Sequence, residues 1–287
     1  MKIIQSARDY CDQFFLRRSY AQPTVKGTNL ELRVDLSRPE MQARAEADFR
    51  FRPLQDTKTV ILGIGPVTVR SATWKGHALK TRCNSPFVIL RFPEKLENCI
   101  ETRIHLKYSY WPDSYGTLRQ PLTKNDFPTK VWLTCRRPLL ALCQGELIES
   151  KEEPPLRVFE WAPPRSRRLN AVVATVRSFR KQADDELNLW LHVRENTVDI
   201  VPRILDLMLE IYEECRGAHG KGLPYEHLHV VESDEADREP FNSPGLIVVP
   251  RGSLINDRPK VYGLLAPEFN KEWGREAIRL QHWGEKD

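Results

Sequence analysis

The chain has 287 residues, enough for one large domain or two ordinary ones, and its 40% hydrophobic and 29% charged residues are typical of a globular protein. A net charge of +5 is too small an excess to indicate a dedicated nucleic-acid-binding domain. No run of about 20 apolar residues could span a bilayer, and no secretory signal is evident, so we expect a cytoplasmic protein without membrane attachment. The scattered cysteines form no C-x-x-C pair, which argues against a zinc ribbon.

Residues 1–22 suit a short helix that ends before Pro23, and strand patterns follow. Apolar and polar residues alternate strictly through "LELRVDL" and again through "ARAEADFRFR", which is typical of a sheet with one buried and one solvent-exposed face. The apolar members of the first strand are Leu30, Leu32, Val34 and Leu36. About ten short strands without a long helix between them predict a β-sandwich domain over residues 23–184.

The pattern changes to a mixed α/β type at residues 185–287. In "VPRILDLMLEIYEECRG", apolar residues recur at helical spacing, Pro202 fits the first turn and Gly217 fits the C-terminal cap. The apolar face of this helix comprises Ile204, Leu205, Met208, Ile211 and Tyr212. Two short strands come next, and a last helix is predicted to open with Pro267 and Glu268.

Three stretches carry a resemblance to a known family: "RILDLMLEIYEECRGAHGKGLPYEHLHVVESDE", "NSPGLIVV" and the terminal "QHWG". In this order they resemble the zinc aminopeptidases of the alanyl-aminopeptidase type, which are gluzincin exopeptidases. The resemblance implies a mainly β and then α/β fold, with an N-terminal saddle-like β-sandwich domain followed by the opening part of a thermolysin-like domain. It covers nearly the whole chain.

The substrate-edge strand shows the first departure from that family. In its members, the motif G-x-M-E-N precedes the Pro-Gly-Leu stretch, and the motif's glutamate holds the free α-amine of the substrate. Asn242 stands in that place here, and a neutral amide cannot supply the charge pairing. The residues that the resemblance assigns to peptide binding are Asn242, Ser243, Pro244, Gly245 and Leu246.

The zinc helix shows the second departure. The family's H-E-x-x-H places two histidine ligands one helical turn apart, with a glutamate that polarises the metal-bound water. Alignment through "QHWG" puts Glu276 and Leu280 at the ligand positions and Ala277 at the general-base position. We therefore expect no catalytic residue, no metal ligand and no cofactor, and zinc only if the chain is an enzyme after all.

Several other polar groups admit a structural interpretation. His227 and His229 are two apart on a predicted strand and share one face, but a catalytic metal would need a third ligand. Glu272 and Glu276 are interpreted as solvent-exposed ion-pair partners on a polar helix face. A basic cluster could bind nucleic acid, but a charged strand at a sheet edge is the favoured interpretation. Its members are Arg165, Arg167, Arg168, Arg177, Arg180 and Lys181.

These patterns lead to one functional hypothesis and two alternatives. The hypothesis is a non-catalytic aminopeptidase-like protein that binds a protein partner or an extended peptide by β-strand addition at the degenerate cleft edge. One alternative is the N-terminal portion of a longer or two-part zinc aminopeptidase-like protein. The other is a nucleic-acid-binding β protein that uses the cluster at residues 165–181. A homo-oligomer is a further open prediction.

Overall fold

The computed structural model describes residues 25–37, 42–112, 117–121, 129–163, 169–223, 225–236 and 239–283, with the backbone alone for residues 117 and 274–283. Contacts within the chain define two compact units. The first takes the described residues within 1–113, 117–136 and 151–169, and the second those within 137–150 and 170–287. The domain bounds 1–22, 23–184 and 185–287 stay predictions, and the helix predicted for residues 1–22 lies outside the described residues.

The described residues are mainly β-strand. The strands, in chain order, are β1 Val25–Asp35, β2 Ala43–Pro53, β3 Thr57–Gly63, β4 Thr68–Trp74, β5 His77–Ala78, β6 Lys80–Asn84, β7 Phe87–Leu96, β8 Thr102–Tyr110, β9 Thr117–Leu118, β10 Thr129–Arg136, β11 Leu140–Cys143, β12 Glu146–Glu153, β13 Leu156–Ala162, β14 Leu169–Ala174, β15 Arg177–Gln182, β16 Asn188–Val193, β17 His227–Glu232, β18 Phe241–Ser243 and β19 Leu246–Val249. The helices are α1 Val201–His219 and α2 Arg258–Trp283, with short 3₁₀ helices at Glu195–Ile200 and Ser253–Ile255.

The first unit is built on the strands β13-β10-β1-β2-β8-β4-β5 of a large sheet, in that order, and on a smaller sheet with the order β3-β7-β6. Within the large sheet β1 and β10 run parallel, while β1 and β2 are antiparallel. The predicted alternation is confirmed, because the apolar residues of β1 and of β2 are all buried. Trp74 of β4 meets Phe92 of β7 edge to face at 5.6 Å, which joins the apolar faces of the two sheets.

The opposite face of the large sheet carries paired charges. Across neighbouring strands, Arg103 lies 3.1 Å from Asp48, and Lys107 lies 2.8 Å from Glu46. Cross-strand pairs of opposite charge are mildly stabilising. The large sheet therefore has one apolar face and one face that carries charged side chains, some of them paired.

The second unit contains a five-stranded sheet with the order β15-β16-β17-β19-β18. The central strands β16, β17 and β19 are parallel, and β15 and β18 add antiparallel at the two edges. One face of this sheet packs on α1 and α2, as the shared core of Leu191, Val230, Ile247, Met208 and Trp273 shows. Because side chains alternate along a strand, the intervening residues of β16 and β17 lie on the other face.

Helix α1 confirms the predicted apolar face, since all five of its predicted members are buried. The predicted cap at Gly217 is wrong. The helix continues to His219, and Gly220 ends it with φ 71° and an N–H that donates to the Arg216 carbonyl at 2.8 Å. Both glycines suit a C-terminal cap, but only the residue where the chain turns left-handed acts as one.

Helix α2 begins at Arg258, nine residues before the predicted start at Pro267, which lies inside the helix. Val261, Leu265, Phe269 and Trp273 are buried at a spacing of four residues along it. A proline inside a helix is unfavourable, because it lacks the N–H and its ring clashes with the preceding turn. The buried apolar stripe stabilises α2 enough for the helix to tolerate Pro267. The described chain has no helix long and apolar enough to cross a membrane.

Candidate functional site

The substrate-edge residues predicted from the sequence lie in a tight turn between β18 and β19. Ser243 pairs with Leu246, so Pro244 and Gly245 form the turn itself. Gly245 has φ 75°, and a Cβ there would lie 3.3 Å from the carbonyl oxygen of His227. Glycine is required at this position for both its backbone angle and its close approach to the chain beside it. We call residues 242–245 the edge turn.

Each polar residue of the edge turn is bound to another part of the second unit. The Asn242 side chain donates from Nδ2 to the carbonyl oxygen of Glu268, at 2.6 Å. The buried hydroxyl of Ser243 accepts a hydrogen bond from the side chain of Asn170. The Gly245 N–H donates to the carboxylate of Glu272 at 3.1 Å. The structure therefore brings the predicted residues together, and it holds them by contacts within the protein.

Glu272 is a site residue that the sequence interpretation placed wrongly. It is 2% exposed, whereas a solvent-facing ion-pair partner was predicted. Its Oε2 atom accepts hydrogen bonds from the Gly245 N–H and from the Tyr225 hydroxyl. A buried carboxylate is tolerated where hydrogen-bond donors replace water, as these two do. Glu272 thus fastens the edge turn to α2.

One turn earlier on α2, Glu268 and Lys271 form a second polar pair beside the edge turn. Glu268 is 6% exposed, and its Oε1 accepts from Lys271 Nζ at 2.6 Å. Among the described atoms, no hydrogen-bond donor meets the buried Oε2 of Glu268. The lysine ammonium sits at the exposed end of the pair and neutralises the carboxylate.

The turn of α2 that contacts β18 reads Pro267-Glu268-Phe269-Asn270-Lys271. Compared with the spacing H-E-x-x-H, this stretch has the glutamate but carries proline and lysine at the two histidine positions. Neither residue suits zinc, because proline offers no ligating atom and a paired ammonium has no free lone pair.

The predicted degenerate positions Glu276, Ala277 and Leu280 lie further along α2, where the structure describes the backbone alone. Their assignment to the ligand and general-base positions stays a prediction.

A stack of aromatic rings occupies the face of the five-stranded sheet opposite the helices. His192 Nε2 and His229 Nδ1 are 3.0 Å apart, and the hydroxyl of Ser178 is 2.8 Å from His192 Nδ1. Trp190 stacks on both histidines, and His227 meets His229 at a ring distance of 6.1 Å. The shared face predicted for His227 and His229 is therefore a packed ring cluster.

Burial controls the protonation of this cluster. Burial lowers the pKa of His192 from 6.5 to about 3. The pKa of His229 is also well below its usual value, first because of burial and then because His192 and His227 lie beside it. Both imidazoles are accordingly neutral near pH 7. Within the described ranges, no three His, Cys, Asp or Glu side chains are grouped as a metal ion would require.

The described part of the predicted basic cluster lies on β15, an edge strand of the five-stranded sheet. Arg177 pairs with Glu195 at 3.0 Å, Lys181 pairs with Asp206, and Arg180 lies over the ring of Trp190. These contacts are those of a charged sheet edge. The remaining members, Arg165, Arg167 and Arg168, lie outside the described residues.

Comparison with solved structures identifies similar folds. The chain is similar to an M1 zinc metallopeptidase from Deinococcus radiodurans, with a TM-score of 0.59 and 14% identity over 79% of this chain and 60% of that one. A mutant of that enzyme aligns with a TM-score of 0.61 and 14% identity over 85% of this chain and 63% of the other. No family model matches the sequence. No curated protein matches it either.

At this level of identity, the likeness establishes the fold. It confirms the predicted fold class, a mainly β region followed by the opening part of a zinc metallopeptidase catalytic domain. The chain spans less than two thirds of the length of either matched structure.

Proposed function

We propose that this protein is a non-catalytic relative of the zinc aminopeptidases that binds an extended segment of a protein or peptide along β18. The observation that carries the proposal is the bond from Asn242 Nδ2 to the carbonyl oxygen of Glu268. Through this hydrogen bond, Asn242 has a structural role at the position where the resemblance implies the amine-binding glutamate. An amide can donate this bond, whereas an ionised glutamate could not.

The composition of α2 supports the loss of hydrolysis. In the proposed register, Pro267 and Lys271 replace the two histidine ligands, and Lys271 neutralises the glutamate that would act as general base. A hydrolytic site of this kind needs both the metal and a glutamate free to accept a proton. The proposal therefore includes the absence of a zinc cofactor.

The position of β18 supports peptide binding. Among the described strands, it stands at the end of the five-stranded sheet, next to β19. An edge strand can pair with an added strand through main-chain hydrogen bonds, which need no particular side chain at the binding site. Recognition by the backbone is compatible with a cleft whose side chains are already engaged.

We retain the other predictions as proposals. The N-terminal portion of a longer aminopeptidase-like protein remains an alternative, and the chain's coverage of 60% and 63% of the matched structures is compatible with it. Nucleic-acid binding through residues 165–181 also stays an alternative. A cytoplasmic location, the absence of a membrane partner and a homo-oligomeric state stay predictions.

A peptide array tests the binding proposal. The purified full chain is applied to random short peptides, and each binder is then made again with N-methyl groups on alternate residues. Because an added strand presents every second N–H to its neighbour, one methylation pattern is expected to abolish binding and the other to leave it intact. Equal binding of both patterns, or no binder at all, contradicts the proposal.

Two glycine variants provide a matched control for that experiment. Gly245 and Gly252 both have left-handed backbones, but only at Gly245 would an added Cβ meet backbone atoms within 4 Å. Gly245→Ala is expected to abolish peptide binding, because the edge turn must move. Gly252→Ala is expected to keep it.

Metal content and turnover test the non-catalytic part. Elemental analysis is expected to find no stoichiometric zinc, and aminoacyl chromogenic substrates are expected to react at the background rate with zinc added. One tightly bound zinc per chain, or turnover that a chelator stops, contradicts this part of the proposal.

A further inference from the structure

The first unit contains a pocket of about 480 Å³ at one end of its large sheet. Neighbouring strands contribute its polar lining: Arg136 ends β10, Asp35 ends β1, Arg44 lies near the start of β2, and Arg70 lies on β4. Asp35 and Arg44 are directly opposite each other in the ladder. Trp111, which follows β8, also lines the pocket, together with Ser37, Gln42, Pro155 and Leu156. We call this the arginine pocket.

Among the described residues, no carboxylate pairs with the three arginines of the arginine pocket, whereas some other charges on the same sheet are paired. Elsewhere on it, Arg103 pairs with Asp48 and Lys107 pairs with Glu46. Within the described part of the chain, Arg44, Arg70 and Arg136 form no ion pair. The carboxylate of Asp35 accepts a hydrogen bond from the Ser37 N–H at 2.9 Å. Three guanidinium groups and one carboxylate leave a local excess of positive charge.

The side chains of the arginine pocket match two parts of one ligand. Guanidinium groups bind phosphate oxygens in a forked geometry, and several of them together favour a ligand with more than one negative charge. Trp111 is 63% exposed, and an exposed indole offers a flat surface on which a planar base can stack. A volume of about 480 Å³ is within the range of pockets that take small molecules.

We propose that the arginine pocket binds a free nucleoside diphosphate or triphosphate. Arg44, Arg70 and Arg136 contact the phosphates, and Trp111 stacks on the base. The Asp35 carboxylate accepts hydrogen bonds from a sugar hydroxyl or a base amino group, which inorganic phosphate does not have. This proposal concerns the first unit and is independent of peptide binding at β18.

Titration calorimetry on the full chain tests the proposal with ATP, GTP, inorganic pyrophosphate, adenosine and a single-stranded RNA oligonucleotide. We expect a nucleotide to bind about tenfold or more tightly than pyrophosphate, because only the nucleotide also stacks. Adenosine is expected not to bind, since it lacks the phosphates. Equal affinity for pyrophosphate and nucleotide, tighter binding of the RNA, or no binding of any nucleotide overturns the proposal.

Variants separate the two contacts. Arg136→Ala and Arg70→Ala are each expected to weaken nucleotide and pyrophosphate binding about tenfold. Trp111→Ala is expected to weaken nucleotide binding and leave pyrophosphate binding unchanged. Arg103→Ala is the matched control, an exposed arginine of the same sheet that already has a carboxylate partner. A loss with Arg103→Ala as large as with the pocket variants overturns the assignment. Circular dichroism confirms that each variant is folded.

Discussion

The edge turn and the arginine pocket use polar groups in opposite ways. At the edge turn, the Asn242 amide, the Ser243 hydroxyl and the Gly245 N–H are all bound to other parts of the protein. In the arginine pocket, three guanidinium groups have no carboxylate partner among the described residues. Polar groups that form hydrogen bonds within the protein stabilise the folded state. Unpaired groups of like charge contribute no ion-pair energy to it. The first region is therefore suited to recognition by backbone, and the second to recognition by side chain.

The largest loss of stability is expected from Glu272→Ala, which tests whether the hydrogen bonds of the edge turn stabilise the fold. The substitution leaves the Gly245 N–H and the Tyr225 hydroxyl without their buried acceptor, and we expect a loss of about 3 kcal/mol in the free energy of unfolding. Urea denaturation measures it. Glu210→Ala, which removes an exposed carboxylate paired with Arg258, is the control and is expected to cost less than about 1 kcal/mol. Equal losses in the two variants would contradict a structural role for Glu272.

Low pH is expected to have the next largest effect on stability, through the ring cluster on the face of the five-stranded sheet opposite the helices. In the unfolded chain His192 takes up a proton near its usual pKa of 6.5, whereas the folded chain resists protonation down to about pH 3. This contribution to stability is therefore largest well above pH 6.5 and falls as the pH drops toward 3, by roughly 1.5 kcal/mol for His192 between pH 6.5 and 5.

Unfolding curves at several pH values measure this dependence. His192→Gln is expected to flatten the slope, because it removes one titrating group, while His77→Gln, at an exposed position, is expected to keep the slope of the parent protein. A slope that His192→Gln leaves unchanged would show that acid acts elsewhere.

A smaller loss is expected from Asn242→Glu, which introduces the residue type that the resemblance implies at this position. The new carboxylate cannot donate to the Glu268 carbonyl, and we expect a loss of about 1–2 kcal/mol. We expect no aminopeptidase activity to appear, because the proposal assigns no zinc ligand to α2. Thermal unfolding and a chromogenic assay with added zinc check both points. A gain in stability would show that the site tolerates a glutamate as family members do.

The smallest effect on stability is expected in the arginine pocket, the other region compared. Arg136→Ala is expected to change the free energy of unfolding by less than about 0.5 kcal/mol, since the arginine has no ion-pair partner in the described structure to lose. Thermal unfolding without added nucleotide measures this. A loss of several kcal/mol would mean that the arginine pocket is a structural feature of the first unit.

The sequence predicted those features that depend on local periodicity. The alternating faces of β1 and β2 and the apolar face of α1 follow from spacing alone, and the structure confirms them. The end of α1 and the start of α2 were missed, because Gly217 and Gly220 both suit a cap and because Pro267 is tolerated inside a helix. Such choices depend on tertiary packing, which a local pattern does not contain.

The polar sites show more clearly what cannot be predicted from the sequence. Asn242, Ser243 and Gly245 could be singled out because they belong to one contiguous motif, and their role in binding stays a prediction. Glu272 could not be distinguished from an exposed helix charge, since its partners Tyr225 and Gly245 are 47 and 27 residues away. The arginine pocket gave no sequence signal either, because its arginines come from strands that become neighbours only in the folded sheet.

The close approach at Gly245 has a consequence for how the second unit assembles. The space that a Cβ would occupy there is bounded by the His227 carbonyl and the Gly145 N–H, so chain segments 100 residues apart meet at one backbone position. Such distant segments come together slowly, because a long loop must close before their contact forms. This junction is therefore expected to close late in folding, after the parallel strands have paired.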